Sequence, residues 1–446
     1  MAAYVQRLHH VSLHVSHADR VARELVSKFK FRPFASRYRD ASHQLALRKG
    51  RAVFVINDRR EAGEPVANKW DFTGVTRETS NYGDGVSSGC LYDVDAPYGV
   101  DTVANVCFEV RDVQRSFQTL KRSGCSFPVT PTCVRDDSGV VTYAVVKSVV
   151  GNVCHTLIDK SRYEGGFLPG FQLIGEEGEE PEDEACPVTH FDHITYACPQ
   201  RFTHTALQWY ETMFGFKRFF IGSNEDPEEG LVLDQDGIGL RLTAMQYWKC
   251  SQRGLMLPSV HQGEPDCKFV IAESLPEKGH NQVDRFLDQH RGPGIQHIGL
   301  YTSNILSTAE TMSRAGVRFF CPPQAYYTEE EKKQQICAAG LSPELLSRFG
   351  ILLDTDLRTE GRERQLPRFL LQVFTQPLFS EDTFFLELIE RRGASGFGEG
   401  NIRALWRSVQ RYIEEEDQVE DQDQELQRHM EKEDQDQDQE LKSAKR

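Results

Sequence analysis

The chain has 446 residues, 10% of them aromatic, and a formal net charge of −15 at neutral pH. That charge argues against binding nucleic acid through a basic surface, and no run approaches the roughly 20 consecutive apolar residues that a membrane-spanning helix needs. None of its 11 cysteines forms a C-x-x-C pair, which indicates reduced structural thiols in an intracellular protein rather than a disulfide framework.

A strand-like segment recurs four times along the chain. The copies are Leu8–Val15, Val103–Val110, Phe191–Cys198 and Ile295–Thr302. A helical pattern follows each copy, at Asp19–Phe29, Asp112–Ser123, Phe202–Phe214 and Ile305–Gly316.

Further strand-like runs complete each unit. They are Gln44–Arg48 and Ala52–Asn57, then Val140–Val146 and Asn152–Ile158, then Leu231–Ala244 and Lys268–Glu273, and finally Ile351–Leu353, Phe369–Thr375 and Thr383–Ile389. The sequence therefore predicts an α+β fold of four βαβββ units. One such unit cannot bury its sheet alone, so unit one should pair with two and unit three with four, giving two open barrels.

Composition predicts the domain boundaries. Gly175–Glu184 (GEEGEEPEDE) is a charged stretch with glycine and proline, and we place the linker at 175–187, between an N-terminal domain (1–174) and a C-terminal domain (188–413). Residues 414–446 nearly repeat EDQDQ and lack the apolar residues for a core, which predicts a disordered acidic tail.

A metal site is predicted in the C-terminal half. His193 and His297 occupy matching positions in two of the repeated strands, and Glu387 lies between Phe385 and Ile389 on one face of the last strand. Two imidazoles and a carboxylate form the facial triad that holds non-haem Fe(II). The alternative is that Glu387 reaches water at a strand end and that the histidines are hydrogen-bonded core groups.

The N-terminal half lacks an obvious complete triad. His10 occupies the matching position in unit one, but unit two has Asn105 there, and its last strand offers His155 without an acid. We therefore interpret this half as structural or substrate-capping.

Several motifs resemble the 4-hydroxyphenylpyruvate dioxygenase family, which includes the 4-hydroxymandelate synthases. They are QHIGLYT (Gln296–Thr302), LLQVFTQP (Leu370–Pro377), FFLELIERRG (Phe384–Gly393) and GFGEGNI (Gly396–Ile402). The resemblance runs from about residue 8 to 410. It implies a vicinal-oxygen-chelate fold with Fe(II) bound only in the C-terminal half, by His193, His297 and Glu387.

The resemblance also implies a substrate pocket. Substrate-contacting glutamines would be Gln282 and Gln372, and Phe374 and Phe397 would form an aromatic wall. Three positions depart from the dioxygenase pattern: Leu242 replaces a serine, Ala272 an asparagine and Ile402 a phenylalanine. The mandelate synthases of the family resemble this chain in having an aliphatic residue at the last of these positions.

The expected function follows from these residues. Using Fe(II) and O2, the enzyme would oxidatively decarboxylate 4-hydroxyphenylpyruvate, a small aromatic 2-oxo acid. Ile402 favours benzylic hydroxylation to 4-hydroxymandelate, because an aliphatic wall lets the arylacetate turn. The chemistry would be iron-centred, with no separate acid or base. The alternatives are homogentisate formation and a non-catalytic scaffold of the same fold.

Location and assembly are further expectations. Residues 1–18 contain Arg7 and no acidic residue, which is compatible with mitochondrial import. There, a hydroxymandelate product would supply the ring precursor of ubiquinone. A cytoplasmic location is the alternative, and a homodimer is compatible with the sequence.

Overall fold

The computed structural model describes residues 3, 5–39, 42–58, 89–94, 99–175, 183–221, 225–234, 239–247, 267–276, 281–356, 368–381, 383–394, 396–398 and 400–404. No helix within these ranges is long and apolar enough to cross a membrane. The predicted tail, 414–446, and most of the predicted linker lie outside the described residues, so the expectations for them stay predictions.

The N-terminal half forms one mixed sheet, nine-stranded in the described residues. Its strands are β1 (Val5–Val15), β2 (Arg32–Arg39), β3 (Ser42–Lys49), β4 (Ala52–Asp58), β5 (Thr102–Val110), β6 (Val129–Asp136), β7 (Gly139–Lys147), β8 (Cys154–Tyr163) and β9 (Gln172–Leu173), with helices α1 (Ala18–Ser27) and α2 (Val113–Arg122). The strand order is β6-β7-β8-β5-β1-β4-β3-β2-β9. Antiparallel pairing of β1 with β5 joins the first two units as predicted.

The C-terminal half repeats this arrangement. Its strands are β10 (Val188–Cys198), β11 (Phe216–Phe219), β12 (Leu231–Leu233), β13 (Leu240–Tyr247), β14 (Lys268–Ser274), β15 (Gly294–Thr302), β16 (Leu352–Asp356), β17 (Arg368–Phe374) and β18 (Phe385–Arg392). The order is β11-β13-β14-β10-β15-β18-β17-β16, with β12 paired to β13. Antiparallel pairing of β10 with β15 joins units three and four. The predicted α+β architecture of paired units is therefore confirmed.

Six helices with defined bounds accompany the second sheet within the described ranges, and residues 400–404 are also helical. They are α3 (Thr203–Phe214), α4 (Gln282–His290), α5 (Ile305–Arg314), α6 (Gln324–Thr328), α7 (Glu330–Ala338) and α8 (Pro343–Phe349). The sequence interpretation missed α4, although Asn281 and Asp284 form a reciprocal capping box at its start, which is a readable signal. The predicted single strand Leu231–Ala244 was wrong: β12 and β13 pair with each other, so the chain reverses between them.

Side-chain alternation divides each sheet into two faces. On β1, Val11, Leu13 and Val15 belong to a core shared by both halves, whereas His10 and His14 point to the opposite, inner face.

Aromatic pairs cross the boundary between the halves in the shared core. Phe54 packs on Phe191 with ring centroids 5.0 Å apart, and Phe108 packs near Phe269 at 6.0 Å. The two sheets are therefore held together by apolar packing, while each inner face remains available to form a separate interior.

Candidate metal centre

Three neighbouring strands of the second sheet bring the predicted ligands together. His193 lies on β10, His297 on β15 and Glu387 on β18, and their candidate ligand atoms all lie within 4.8 Å of one another. The Nε2 atoms of His193 and His297 lie 2.8 and 3.8 Å from Glu387 Oε2. Glu387 is only 1% exposed, so the alternative that it reaches water at a strand end is wrong.

A bulge in β10 supplies the support for His193. The register against β15 shifts between Phe191 and His193, which places Asp192 at the irregularity. His193 Nδ1 donates to Asp192 Oδ1 at 3.0 Å, and Arg391 holds the same carboxylate through Nε at 2.7 Å and Nη2 at 2.8 Å. This chain fixes the ring so that Nε2 faces Glu387.

The other two groups are also oriented by neighbours. His297 Nδ1 lies 3.2 Å from Gln296 Oε1, which leaves Nε2 toward the centre. Gln372 Nε2 donates to Glu387 Oε1 at 2.8 Å, and Asn401 Nδ2 donates to Gln372 Oε1 at 2.9 Å. Such outer contacts are those that position and tune metal ligands.

The electrostatics of the centre favour a cation. Burial opposes protonation of His193, but Glu387 and Asp192 outweigh it and raise its pKa to about 9. Burial and His193 hold the pKa of His297 well below its ordinary value, so this ring is neutral. Burial also opposes ionisation of Asp192, but Arg391 outweighs it and lowers the pKa of that carboxyl. A field that attracts a proton to His193 also attracts a metal ion, and the donor set fits Fe(II).

A cavity of about 70 Å³ opens beside the three groups. All seven residues predicted for substrate binding line it: Leu242, Ala272, Gln282, Gln372, Phe374, Phe397 and Ile402. Leu242 and Ala272 are directly paired across β13 and β14, so their side chains form one apolar wall. The structure brings these residues together, while their roles toward a substrate stay predictions.

The aromatic residues stand edge-on to the imidazoles. Phe397 lies 5.0 Å from His193 at an interplanar angle of 87°, and Phe374 lies 5.9 Å from His297 at 82°. Arg391 also lies over the Phe397 ring, at 5.3 Å from its centroid. One arginine therefore contacts both the support of His193 and the aromatic wall.

Sequence reasoning missed Thr195, Asp192 and Arg391. Thr195 lines the cavity, and its buried Oγ1 has no hydrogen-bond partner in the described residues. The signal was available, because Thr195 follows His193 by two positions and so shares its face. The contribution of Asp192 depends on the bulge, which the sequence does not reveal.

Comparisons with known proteins agree with this geometry. Residues 190–332 match the Glyoxalase/Bleomycin resistance protein/Dioxygenase superfamily. The human 4-hydroxyphenylpyruvate dioxygenase-like protein is 43% identical over 414 residues, covering 92% of this chain and 98% of that protein. The chain belongs to the 4-hydroxyphenylpyruvate dioxygenase-like family. This confirms the family resemblance and the vicinal-oxygen-chelate fold.

More distant relatives of the chain include dioxygenases and a mandelate synthase. The 4-hydroxyphenylpyruvate dioxygenase of Yarrowia lipolytica is 29% identical over 416 residues, covering 90% of this chain and 91% of that protein. Among solved structures, a triple mutant of 4-hydroxymandelate synthase from Streptomyces coelicolor superposes with a TM-score of 0.65 at 21% identity, covering 92% and 99% of the two chains. At that identity the superposition supports the fold alone.

In this dioxygenase-like chain, the N-terminal sheet departs from the triad. Asn105 occupies the position that corresponds to His297. The register of β5 with β8 places Thr156 at the position that corresponds to Glu387. Asn105 Nδ2 donates to Thr156 Oγ1 at 2.8 Å and to Asp93 Oδ1 at 2.7 Å. This network lacks the two-imidazole, one-carboxylate donor set, which fits a non-catalytic N-terminal half.

The histidine noted on the last strand of unit two, His155, does not face this interior. Its Nε2 lies 2.8 Å from the Tyr210 hydroxyl and its Nδ1 lies 3.2 Å from the Val106 carbonyl. It packs against Trp209 and Phe214 of α3. His155 is therefore part of the contact between the two halves.

Proposed function

We propose that the protein is an Fe(II)-dependent dioxygenase that decarboxylates 4-hydroxyphenylpyruvate and hydroxylates the benzylic carbon, giving 4-hydroxymandelate. The coarser part, a 4-hydroxyphenylpyruvate-type dioxygenase, is supported by the relatives' names and by the buried triad. The product is inferred from one observation, the aliphatic Ile402 in the cavity wall.

His193, His297 and Glu387 would hold the ferrous ion. When bound, iron supplies the chelation site for the 2-oxo acid and the activation of O2 that oxidative decarboxylation requires. The protein's contribution is orientation: Asp192 keeps the Nδ1 proton of His193, and Gln372 binds the Glu387 oxygen that faces away from His193. Neither group needs to act as a general acid or base.

The cavity has the composition to receive an aromatic 2-oxo acid. Apolar walls on two sides, including the Leu242 and Ala272 pair, exclude water from the reacting groups. Gln282, Gln372 and Thr195 contribute polar side chains to the cavity lining. Their small number would fix the orientation of the bound acid. The unpartnered hydroxyl of Thr195 offers a hydrogen bond that replaces polar groups absent at 242 and 272.

Ile402 carries the choice of product. Its side chain lines the same cavity as Phe374 and Phe397. It leaves more room than a phenylalanine would, so an arylacetate held in this cavity could turn its benzylic carbon toward the proposed metal centre. Because reacting atoms must approach within roughly 3–3.5 Å, a small rotation is enough to select this carbon over the ring. Without that rotation the product would be homogentisate.

Product identification tests the proposal. Full-length protein is purified without oxygen, loaded with Fe(II), and exposed to 4-hydroxyphenylpyruvate and O2, and the products are separated by chromatography and mass spectrometry. We expect 4-hydroxymandelate, and no product from Glu387→Ala. Homogentisate as the main product would contradict the inference from Ile402. Absence of turnover in iron-loaded protein would favour a non-catalytic scaffold.

Location and purpose complete the proposal. We place the enzyme in mitochondria, where hydroxymandelate would feed the ring of ubiquinone. The support is the acid-free N-terminal segment containing Arg7. Fractionation of cells expressing the untagged protein, combined with ring-labelled 4-hydroxyphenylpyruvate, checks both points. Protein found wholly in the cytosol, or label that fails to reach quinone precursors, would contradict them.

A further inference from the structure

A second cluster of metal-ligating side chains lies in the N-terminal half. His9, His10 and Cys107 bring their candidate ligand atoms within 4.8 Å of one another. His10 is 2% exposed and Cys107 is fully buried, while His9 is partly buried. In the part of the chain that the structure describes, this is the one such group besides the candidate iron triad.

The cluster arises from the same backbone device as the first site. The register of β1 against β5 shifts between Leu8 and His10, as β10 shifts against β15 between Phe191 and His193. The bulge lets consecutive side chains lie together. At this place the C-terminal half has Asp192 beside His193, and the N-terminal half has His9 beside His10, with their Nδ1 atoms 2.8 Å apart.

Strand β5 supplies a candidate ligand, Cys107, at the position where the C-terminal half has Gly299. Cys107 pairs with His10 across the strands as Gly299 pairs with His193. At Gly299 the imidazole covers the backbone so closely that an added Cβ would lie 2.3 Å from its Cε1. In the N-terminal half, a thiol stands at that position. The C-terminal half therefore offers two imidazoles and a carboxylate as candidate ligands, and the N-terminal half offers two imidazoles and a thiol.

Charged groups of both signs surround the cluster. Lys160 acts on all three side chains, Arg7 on His9, Asp93 on His10 and Cys107, and Glu109 on Cys107. Arg7 is itself paired with Glu109 at 2.6 Å.

The cluster is accessible through His9. His9 lines a cavity of about 240 Å³ whose charged lining residues are Arg7, Arg48, Arg51 and Lys160. An ion entering this cavity reaches His9 first.

We propose that His9, His10 and Cys107 form a second metal site, which binds Zn²⁺ and stabilises the N-terminal half. Two imidazoles and a thiolate suit a borderline-soft divalent ion with a fourth position open to water. On binding, the Cys107 thiol releases its proton to solvent as the metal–sulfur bond forms. The proton between the two Nδ1 atoms moves to a ring Nε2. Glu109 Oε1 lies 3.9 Å from His9 Nε2 and would have to move closer to accept a hydrogen bond there.

Cobalt substitution tests this site independently of the proposed enzyme activity. Co²⁺ is titrated into the full-length Glu387→Ala variant, whose iron triad is disabled. We expect one Co²⁺ per chain with a near-ultraviolet thiolate-to-cobalt charge-transfer band, and competition by Zn²⁺. A folded variant that takes up Co²⁺ without this band, or takes up none, would overturn the proposal.

Matched variants in the same background identify the ligands. Cys107→Ser should abolish the charge-transfer band, whereas Cys154→Ser, at a buried thiol of the same inner core, should retain it. His9→Gln removes a ligand at the edge of the cluster and should weaken Co²⁺ binding by at least about tenfold. Circular dichroism verifies folding in each case. A band that survives Cys107→Ser, or unchanged affinity in His9→Gln, would also overturn the assignment.

Discussion

Gly299 lies directly against the imidazole of His193. A Cβ atom added to Gly299 would lie 2.3 Å from His193 Cε1 and 2.4 Å from Nδ1, far inside van der Waals contact. The ring therefore occupies the space of the missing side chain. Because the same ring is tied to Asp192 through Nδ1, it has little freedom to move aside.

Gly299→Ala should weaken iron binding by more than about tenfold, because the methyl group would displace the proposed metal ligand His193 and its hydrogen-bonded support. Iron per chain and the dissociation constant for Fe(II) measure the effect. Gly124→Ala is the control: its φ of +87° makes the backbone strained, but nothing lies within 4 Å of the added Cβ. It should lower stability alone. Normal iron affinity in folded Gly299→Ala would show that the His193 ring can relocate.

Thr195→Val should raise the KM for 4-hydroxyphenylpyruvate about 2- to 10-fold without changing iron content. The valine is nearly isosteric, and one hydrogen bond contributes about 0.5–1.5 kcal/mol. Thr243→Val is the matched control, because Thr243 Oγ1 is also buried without a partner among the described residues but does not line the cavity. An unchanged KM in Thr195→Val would show that the Thr195 hydroxyl does not contact the substrate.

Ile402→Phe should shift the product from hydroxymandelate toward ring-hydroxylated species while iron binding stays intact. The larger ring fills the space in which the arylacetate turns. Overpacking competes with this effect and would cost about 1–3 kcal/mol of stability with no change in product ratio. Melting temperature and product ratio are measured together to separate the two. If a well-folded variant gave the same product ratio as the parent protein, Leu242 or Ala272 would determine the product instead of Ile402.

Acid should destabilise the contact between the halves through His155. Burial lowers the pKa of this imidazole to about 4 in the folded state, against about 6.5 in the unfolded chain. The unfolded state therefore binds the proton first, and the free energy of unfolding falls as the pH drops from about 6.5 to 4, by about 3 kcal/mol.

Denaturant unfolding of His155→Gln between pH 4 and 7 checks this expectation. The variant should be less stable than the parent at pH 7 and should lack that part of the pH dependence. His204→Gln, at an exposed position of α3, should give a curve parallel to the parent's. Equal slopes for His155→Gln and the parent would contradict a neutral, buried His155.

Truncation after residue 413 should leave both melting temperature and turnover almost unchanged, because the acidic repeats contain too few apolar residues to form a core. Differential scanning fluorimetry and steady-state kinetics provide the comparison with the full chain. A large loss of either property would show that the tail packs on the folded protein.

The repeat made the architecture and the triad predictable. Matching strands required His193 and His297 to meet across β10 and β15, and the alternation on β18 pointed Glu387 inward. The roles of Asp192 and Arg391 were not predictable, because they depend on a one-residue bulge and a contact between positions 199 residues apart. Strand β2 was missed as well. Its sequence, Arg32–Arg39, alternates poorly and carries arginines at both ends.

The core shared by the two halves has a consequence for protein engineering. Phe108 and Phe54 of the first half close over Phe269 and Phe191 of the second, so an excised C-terminal half would present a bare aromatic surface and tend to aggregate. Trimming the gene to the C-terminal repeats should therefore give a fragment that aggregates. The N-terminal repeats lack the counterparts of His297 and Glu387, yet they cover the aromatic surface of the half that carries the candidate metal centre.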